Sequence, residues 1–578
     1  MRKKSTFAFL MKYVLKKGFL FVISVILAAV TVVGSLIIPI LTGKGIDYVM
    51  IISGGLVDFA PFIDLLHMGV AVICITIVSQ FLLSLVNNRM TSDIVFSIRK
   101  DIMAKIQRIP VSYVDSHPVG DLVTRMTSDV ETLSDGLLMG FTQVFTGVTT
   151  ILGTLALMFV LNWKITLVVL FVTPLSFFVA GFISKRTYSL FATQNKARGE
   201  QVSFINEMVS GQKIVRAFGT EDENADKFDE MNERFKKASL KATFYSSLTN
   251  PSTRFVNSLV YAAVALFGAL SIVKGKGLTV GELTIFLSYA NQYTKPFNEI
   301  SGVITEFQNA LSAADRIREL LDEREEEEPA VDKELNNDFK KISFEDITFS
   351  YNETQKLIEH FSLDVERGKR IAIVGPTGCG KTTLINLLMR FYDVKGGAIC
   401  LDDTNITEVS RQKYRENYGM VLQETWLKKG TIRENLSLGQ IVTDERIVEV
   451  CKTCHAHSFI ERLPKGYDTE ITEDGGNLSN GQKQLLCIAR VMLLNPPILI
   501  LDEATSSIDT RTEIKVQDAF AKLMEGKTSF VVAHRLSTVR NADIILVMKD
   551  GNIVEKGSHD ELMAKGGFYR ELYLSQWA

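Results

Sequence analysis

Two short stretches bring together residues that can do chemistry. In "GPTGCGKTT", residues 375 to 383, an apolar run ("RIAIV", 370 to 374) leads into Gly375, Pro376, Thr377, Gly378, Cys379 and Gly380, then Lys381, Thr382 and Thr383. This spacing fits G-x-x-x-x-G-K-[ST] between a strand and a helix. Glycines at these places let backbone N–H groups surround a phosphate, and the helix that follows adds partial positive charge. Lys381 is placed for the β- and γ-phosphates of a nucleotide and Thr382 for Mg²⁺. In "ILILDEATSSID" a second apolar run ends in Asp502 and Glu503. Asp502 can organise Mg²⁺ through water, and Glu503, one residue further from the metal, can take a proton from an attacking water, a role that contributes about 10² to 10⁴ in rate. His534, which follows "SFVVA", can contact a γ-phosphate and position that water. Alone, an acidic pair after a strand is an ordinary loop feature and the histidine a structural one; behind this phosphate loop they read as parts of one site for phosphoryl transfer to water. A third stretch, "GGNLSNGQKQLL" (475 to 486), holds Ser479, Gly481 and Gln482 well away from that loop.

The elements that position these residues alternate short apolar strands with helical patterns from Lys340 onward, the pattern of an α/β domain. "VMKDGNIV" adds a hairpin through Asp550-Gly551. Upstream, "LDEREEEEPAVDKELNND" (321 to 338) carries a run of like charge with a proline and reads as a solvated linker. The division expected is 1–320, a linker at 321–338, and 339–578.

With 46% hydrophobic but still 22% charged residues, the chain joins an apolar part to an ordinary soluble one. The apolar part comes first. Gly18 to Leu41 is uncharged and long enough to cross a bilayer core of about 30 Å, and further runs near 65–87, 137–161, 164–183, 255–273 and 279–298 give about six spans. Arg2, Lys3, Lys4, Lys12, Lys16 and Lys17 precede the first span as in a signal peptide, but that span is too long and others follow. The basic segments 88–136 and 184–245 face the cytoplasm, as does the N-terminus, and their helical spacing extends the spans into it. A net charge of -2 offers no basic excess for nucleic acid. Thr142, Gln143, Asn257, Asn291 and Gln292 lie within spans, where polar side chains mark a pathway or join helices.

Taken together, the motifs resemble the nucleotide-binding domain of ATP-binding cassette (ABC) transporters, and the resemblance covers nearly the whole chain. It implies that Tyr351 in "ITFSY" stacks on adenine, Gln423 in "MVLQETW" links Mg²⁺ to the membrane domain, Asp509 belongs to the D-loop and His534 is the switch histidine. The membrane half resembles the exporter type, with "SYVDSHPVGDLVTRMTSDV" like the first cytoplasmic loop. The fold implied is a multi-domain membrane protein. It has a six-helix all-α transmembrane domain with long cytoplasmic extensions, followed by an α/β P-loop ATPase domain.

In this family two cassettes pair head to tail, so Ser479, Gly481 and Gln482 would serve the ATP bound by a partner. Here "LSNGQ" puts Asn480 where the family has glycine. With Lys381, Asp502, Glu503 and His534 kept, the chain is similar to the catalytically complete member of heterodimeric bacterial exporters. The expected function is ATP-driven export across the cytoplasmic membrane, as a heterodimer with a second half-transporter or else as a homodimer. Partners are membrane lipids and an amphipathic small molecule, lipid or peptide as cargo, and the cofactors are ATP and Mg²⁺. An ATP-gated channel or regulator on the same frame is a further reading; a soluble cassette is excluded by the membrane half. "CKTCHAH" (451 to 457) imitates a haem or metal signature but falls on the cytoplasmic side, where thiols stay reduced.

Overall fold

The computed structural model describes residues 2–51, 60–274, 278–329, 331–335, 338–352, 357–422, 425–472, 475–502, 508–533 and 536–577. The chain forms two compact units, Met1–Arg108 with His117–Glu323, and Ile109–Ser116 with Arg324–Ala578.

The first unit is helical: α1 (Arg2–Lys16), α2 (Gly18–Ile51), α3 (Ala60–Ile106), and, after the α4 helix (Val111–Ser116) that belongs to the other unit, α5 (Val119–Met126), α6 (Ser128–Met139), α7 (Phe145–Val172), α8 (Pro174–Ser210), α9 (Gln212–Phe218), α10 (Glu221–Ser247), α11 (Thr249–Val273) and α12 (Val280–Asp322). At 1.5 Å per residue, the 47 residues of α3 run about 70 Å, over twice the hydrocarbon thickness. The extensions expected from sequence are therefore real helices.

Among the described residues four stretches are long and apolar enough to cross a membrane, Gly18–Val49, Pro61–Ile106, Val119–Phe171 and Glu221–Val273, and they take in the runs expected at 18–41, 65–87, 137–161 and 255–273. The run expected at 164–183 begins within α7, parted from that at 137–161 by a break at Asn162 (φ -161°, ψ 105°). Its side chain then accepts from the N–H groups of Lys164 (3.1 Å) and Ile165 (3.4 Å), starting a new helix. The last run, on α12, is too polar to qualify because Glu282, Asn291, Gln292 and Lys295 dilute it. It tolerates them by being central: Ile285, Phe286, Tyr289, Ala290 and Tyr293 are buried against α2, α7 and α11.

Proline explains why α12 carries Tyr289 and Gln292. Pro39 inside α2 has no N–H and disrupts the preceding turn's hydrogen bonding, which in a bilayer must be satisfied from a neighbour. Gln292 Nε2 donates to the Ser35 carbonyl (3.1 Å) and Tyr289 Oη to that of Leu36 (2.7 Å). Of the polar residues noted within spans, Gln292 thus joins helices. So does Thr142, whose Oγ1 accepts from Asn87 Nδ2 (3.2 Å) while Asn87 Oδ1 accepts from Ser24 (2.6 Å).

The second unit is α/β. Its strands are β1 (Lys341–Phe349), β2 (Ile358–Glu366), β3 (Arg370–Val374), β4 (Gly396–Leu401), β5 (Thr404–Asn405), β6 (Tyr418–Val421), β7 (Gly430–Thr431), β8 (Glu470–Ile471), β9 (Ile498–Asp502), β10 (Thr528–Val532), β11 (Ile544–Lys549) and β12 (Asn552–Gly557). Its helices include α13 (Lys381–Leu388), α14 (Arg411–Arg415), α15 (Ile432–Ser437), α16 (Asp444–Thr453), α17 (His457–Ile460), α18 (Asn480–Leu494) and α19 (Thr510–Met524). A six-stranded sheet runs β12-β11-β3-β10-β9-β6 and a four-stranded one β2-β1-β4-β5. β3, β9 and β10 are apolar for most of their length and buried on both faces, as parallel central strands must be. The expected hairpin is β11–β12, with φ 49° at Asp550 and 83° at Gly551, a turn that needs left-handed residues at both places.

The acidic stretch is mostly exposed and also meets basic residues of the cassette. Arg411 of α14 donates from its backbone N–H to Glu328 (3.1 Å) and from its guanidinium to the Glu327 carbonyl, and pairs with Glu326 (3.5 Å). Lys413 pairs with Asp332 (2.8 Å), which also accepts from the Ser410 N–H (2.8 Å).

Candidate active site

The site begins where the parallel strands end. Val421 of β6 pairs with Leu501 of β9, Leu501 with Val531 of β10, and Val531 with Ala372 of β3. The carboxyl ends of four strands therefore stand level, the edge at which open α/β sheets bind ligands. Asp502 ends β9, half-buried, and the phosphate loop leaves β3 along the same edge. Gln423, Glu503 and His534 lie outside the described residues.

Gly375 is required by space as well as by backbone angle. At φ +156° a Cβ there would lie 2.3 Å from the Met548 carbonyl oxygen and 2.7 Å from Cys379 Sγ. Gly380, at φ +97°, is the left-handed residue from which α13 starts. Pro376, Thr377 and Gly378 form an exposed rim, with Thr382 exposed beside them, while Cys379 and Thr383 turn inward. Lys381 folds back over the loop: its Nζ donates to the Gly375 carbonyl (2.8 Å) and the Pro376 carbonyl (3.0 Å). A cationic amine above a glycine cradle at a helix N-terminus fits a nucleotide's phosphates. Burial raises the Cys379 thiol above its ordinary pKa, partly opposed by the Lys381 charge.

Tyr351, expected to stack on adenine, is 42% exposed. Its edges are framed by Phe349 and Tyr392, each ring centre 5.0 Å away and nearly perpendicular (86°). Asn386 Nδ2 donates to its hydroxyl at 3.3 Å. Tyr392 in turn donates to Asp115 Oδ2 of α4 at 2.6 Å. Sequence reasoning missed Asn386, Tyr392 and Asp115; the only local hint was the aromatic pair Phe391-Tyr392 following α13.

The signature residues stand apart. Ser479 caps α18, its Oγ accepting from the Gln482 N–H (3.3 Å) while Gln482 Oε1 accepts from the Ser479 N–H (2.9 Å), a reciprocal capping box. A Cβ on Gly481 would lie 2.3 Å from Thr512 Cγ2, so α18 and α19 can approach only through glycine. Asn480 is exposed at the first helical position, and Asp509 caps α19 by accepting from the Thr512 N–H (3.0 Å). Among the described residues no hydrogen bond joins Ser479, Gly481 or Gln482 to the phosphate loop.

The thiols of "CKTCHAH" are buried, and its imidazoles meet Asp518 (His455, 2.6 Å) and Tyr467 (His457, 2.9 Å). No group of three or more metal-ligating side chains occurs among the described residues.

Comparison with known proteins agrees with this architecture. Residues 21–297 match the family described as ABC transporter transmembrane region and residues 358–506 that described as ABC transporter. The chain is 36% identical to an uncharacterised ABC transporter ATP-binding protein of Bacillus subtilis, YfiC, over 99% of this chain and 94% of that one. It is 39% identical to a fatty acid ABC transporter ATP-binding/permease protein of Mycobacterium bovis (90% and 83%) and 36% identical to an ATP-dependent lipid A-core flippase of Desulfotalea psychrophila (85% and 86%). A bacterial Atm1-family ABC exporter solved with ATP bound superposes with a TM-score of 0.80 at 25% identity, covering 99% of each chain. With apolar helices leading into a cytoplasmic nucleotide-binding domain, the chain belongs to the ABC transporter family, as a multi-pass membrane exporter that couples ATP hydrolysis to transport.

Proposed function

We propose that this chain is one half of an exporter whose two cassettes complete each other's ATP sites, and that its cargo is lipid-like. The observation that carries the first part is the signature itself. Ser479 and Gln482 engage each other in the α18 cap, and among the described residues neither has a hydrogen bond to the loop around Lys381. In this reading Lys381 binds the phosphates, Thr382, Asp502 and Gln423 hold Mg²⁺, Glu503 takes the proton from water, His534 positions that water and Tyr351 carries the adenine. Mg²⁺, when bound, supplies neutralisation of the charge that develops on the phosphates. The N-terminus of α18, with Ser479 and the Gly481 N–H, faces the partner's nucleotide.

The intact Lys381 and Asp502 beside a signature altered at Asn480 favour a partner that is a different chain, with this one supplying the complete hydrolytic set. The extra side chain at Asn480 adds bulk where backbone approaches phosphate. The names of the fatty acid transporter and the lipid A-core flippase, both similar over most of the chain, support a cargo with an acyl body and a polar head.

The chain expressed alone and purified in nanodiscs tests the pairing. A two-fold dimer with cargo-stimulated hydrolysis would establish a homodimer and remove the heterodimer reading. Uptake of labelled fatty acid or phospholipid against a gradient in inverted vesicles tests the cargo and separates a pump from a gated channel.

A further inference from the structure

The α1 helix has two faces with different fates. Leu10, Tyr13 and Val14 are buried, and the helix is pinned through Thr6 to Asp315 of α12 (2.8 Å), Tyr13 to Asp101 of α3 (2.7 Å) and Lys17 to Asp93 of α3 (3.0 Å). Lys12 and Lys16, one turn apart on the other side, are exposed. With them stand Leu15, 65% exposed, and, in the first turn of α2, Phe19, 79% exposed. Neither lysine meets a carboxylate among the described residues; Lys16 lies 5.4 Å over the Tyr13 ring.

The level of these lysines relative to the bilayer can be read from the helix register. Thr31 meets Ser79, Ser24 meets Asn87 and Lys17 meets Asp93, so α2 and α3 run antiparallel with matched levels. Charge begins on both at one height, with Lys16 and Lys17 on one side and Arg89 and Asp93 on the other. That height is the cytoplasmic boundary of the span. Lys12 and Lys16 lie within about 6 Å of each other at this boundary.

Lysines before a first span fix topology whichever way they point. These do more. The acids at this level are already engaged, Asp93 by Lys17 and Arg89 (3.6 Å) and Asp101 by Tyr13, so the two ammonium groups remain a local positive excess. Cations on a pinned helix, beside exposed Leu15 and the exposed Phe19 that follows on α2, match a phosphate headgroup with its acyl chain below.

We propose that the outer face of α1 and the first turn of α2, through Lys12 and Lys16 with Leu15 and Phe19, form a docking surface for anionic phospholipid of the cytoplasmic leaflet, held as a bound lipid rather than as cargo. The test uses the full chain in nanodiscs of phosphatidylcholine alone or mixed equally with phosphatidylglycerol, with lipid retention counted by native mass spectrometry. The wild type should retain phosphatidylglycerol in preference to phosphatidylcholine, and retention should fall as salt rises. K12Q/K16Q should weaken that retention by roughly tenfold or more. K12R/K16R should preserve it, and all three proteins should hydrolyse ATP alike in pure phosphatidylcholine. Undiminished phosphatidylglycerol retention by an active K12Q/K16Q protein overturns the proposal. So does wild-type retention that ignores salt or does not distinguish the two lipids.

Discussion

The Tyr392 hydroxyl donates to the Asp115 carboxylate across 277 residues of sequence at 2.6 Å, while the Tyr392 ring stands edge-on to Tyr351 at 5.0 Å. One aromatic side chain thus touches both the ring proposed to carry adenine and the α4 helix. Desolvation first, and the Asp115 contact second, hold the Tyr392 hydroxyl protonated far above neutral pH, so it remains a donor throughout the working range. Tyr392→Phe and Asp115→Asn should each remove a charge-assisted hydrogen bond contributing about 1 to 2 kcal/mol. We expect hydrolysis to persist and transport per ATP to fall several-fold. Equal transport stoichiometry in wild type and both variants would show that the contact is dispensable.

Glu503→Gln should leave ATP binding intact and lower turnover by about 10² to 10⁴. Lys381→Ala should instead weaken nucleotide binding, since its ammonium is held over the phosphate loop by the Gly375 and Pro376 carbonyls. Nucleotide affinity and single-turnover hydrolysis, measured separately on each variant, distinguish the roles; near-normal hydrolysis by Glu503→Gln would assign the base elsewhere.

Cys379 lies within the phosphate loop, where modification of its thiol should impair ATP hydrolysis. Being 4% exposed with its pKa raised by burial, it is mostly thiol at neutral pH, and the thiolate is the reactive form. Alkylation should therefore be slow at pH 7, accelerate as pH rises, and be retarded by ATP. Rapid modification at neutral pH, mapped to Cys379 by mass spectrometry, would contradict the buried environment.

The acidic segment should detach from the cassette under two conditions. Lys413, with the N–H and hydroxyl of Ser410, holds the Asp332 carboxyl below its ordinary pKa. A depressed folded pKa gives a contribution that is full above the unfolded carboxylate value and is lost as pH falls through the lowered one. These exposed pairs are also screened by salt. Limited proteolysis within 324–333 should speed up at acid pH and high salt, and Lys413→Gln should show the faster rate already at neutral pH. Cleavage rates indifferent to both would mean that the ion pairs do not tether the segment.

Gln292→Leu should lower thermal stability by about 1 kcal/mol by leaving the Ser35 carbonyl without its Gln292 donor. Pro39→Ala lets α2 close its own bond, so the double variant should recover much of the loss. Additive losses in that cycle would place the cost of Gln292→Leu in packing instead.

The sequence by itself determined what depends on near neighbours. The glycines, Lys381 and Thr382 of the phosphate loop and the Asp550-Gly551 hairpin are set by backbone angles and hydrogen bonds spanning a few residues. The apolar runs of the first half are legible for the same reason, because a bilayer span is one continuous segment. Only the tertiary structure decided relationships whose partners lie far apart in the chain. Arg411 claims the acidic segment, Gln292 and Tyr289 serve the carbonyls next to Pro39, and Tyr392 and Asn386 frame Tyr351. A charge run, a polar residue in a span or an aromatic after a helix has one local pattern and several possible partners. Which partner it meets is fixed by packing, through the requirement that every buried polar group and charge be matched by whatever the fold brings alongside.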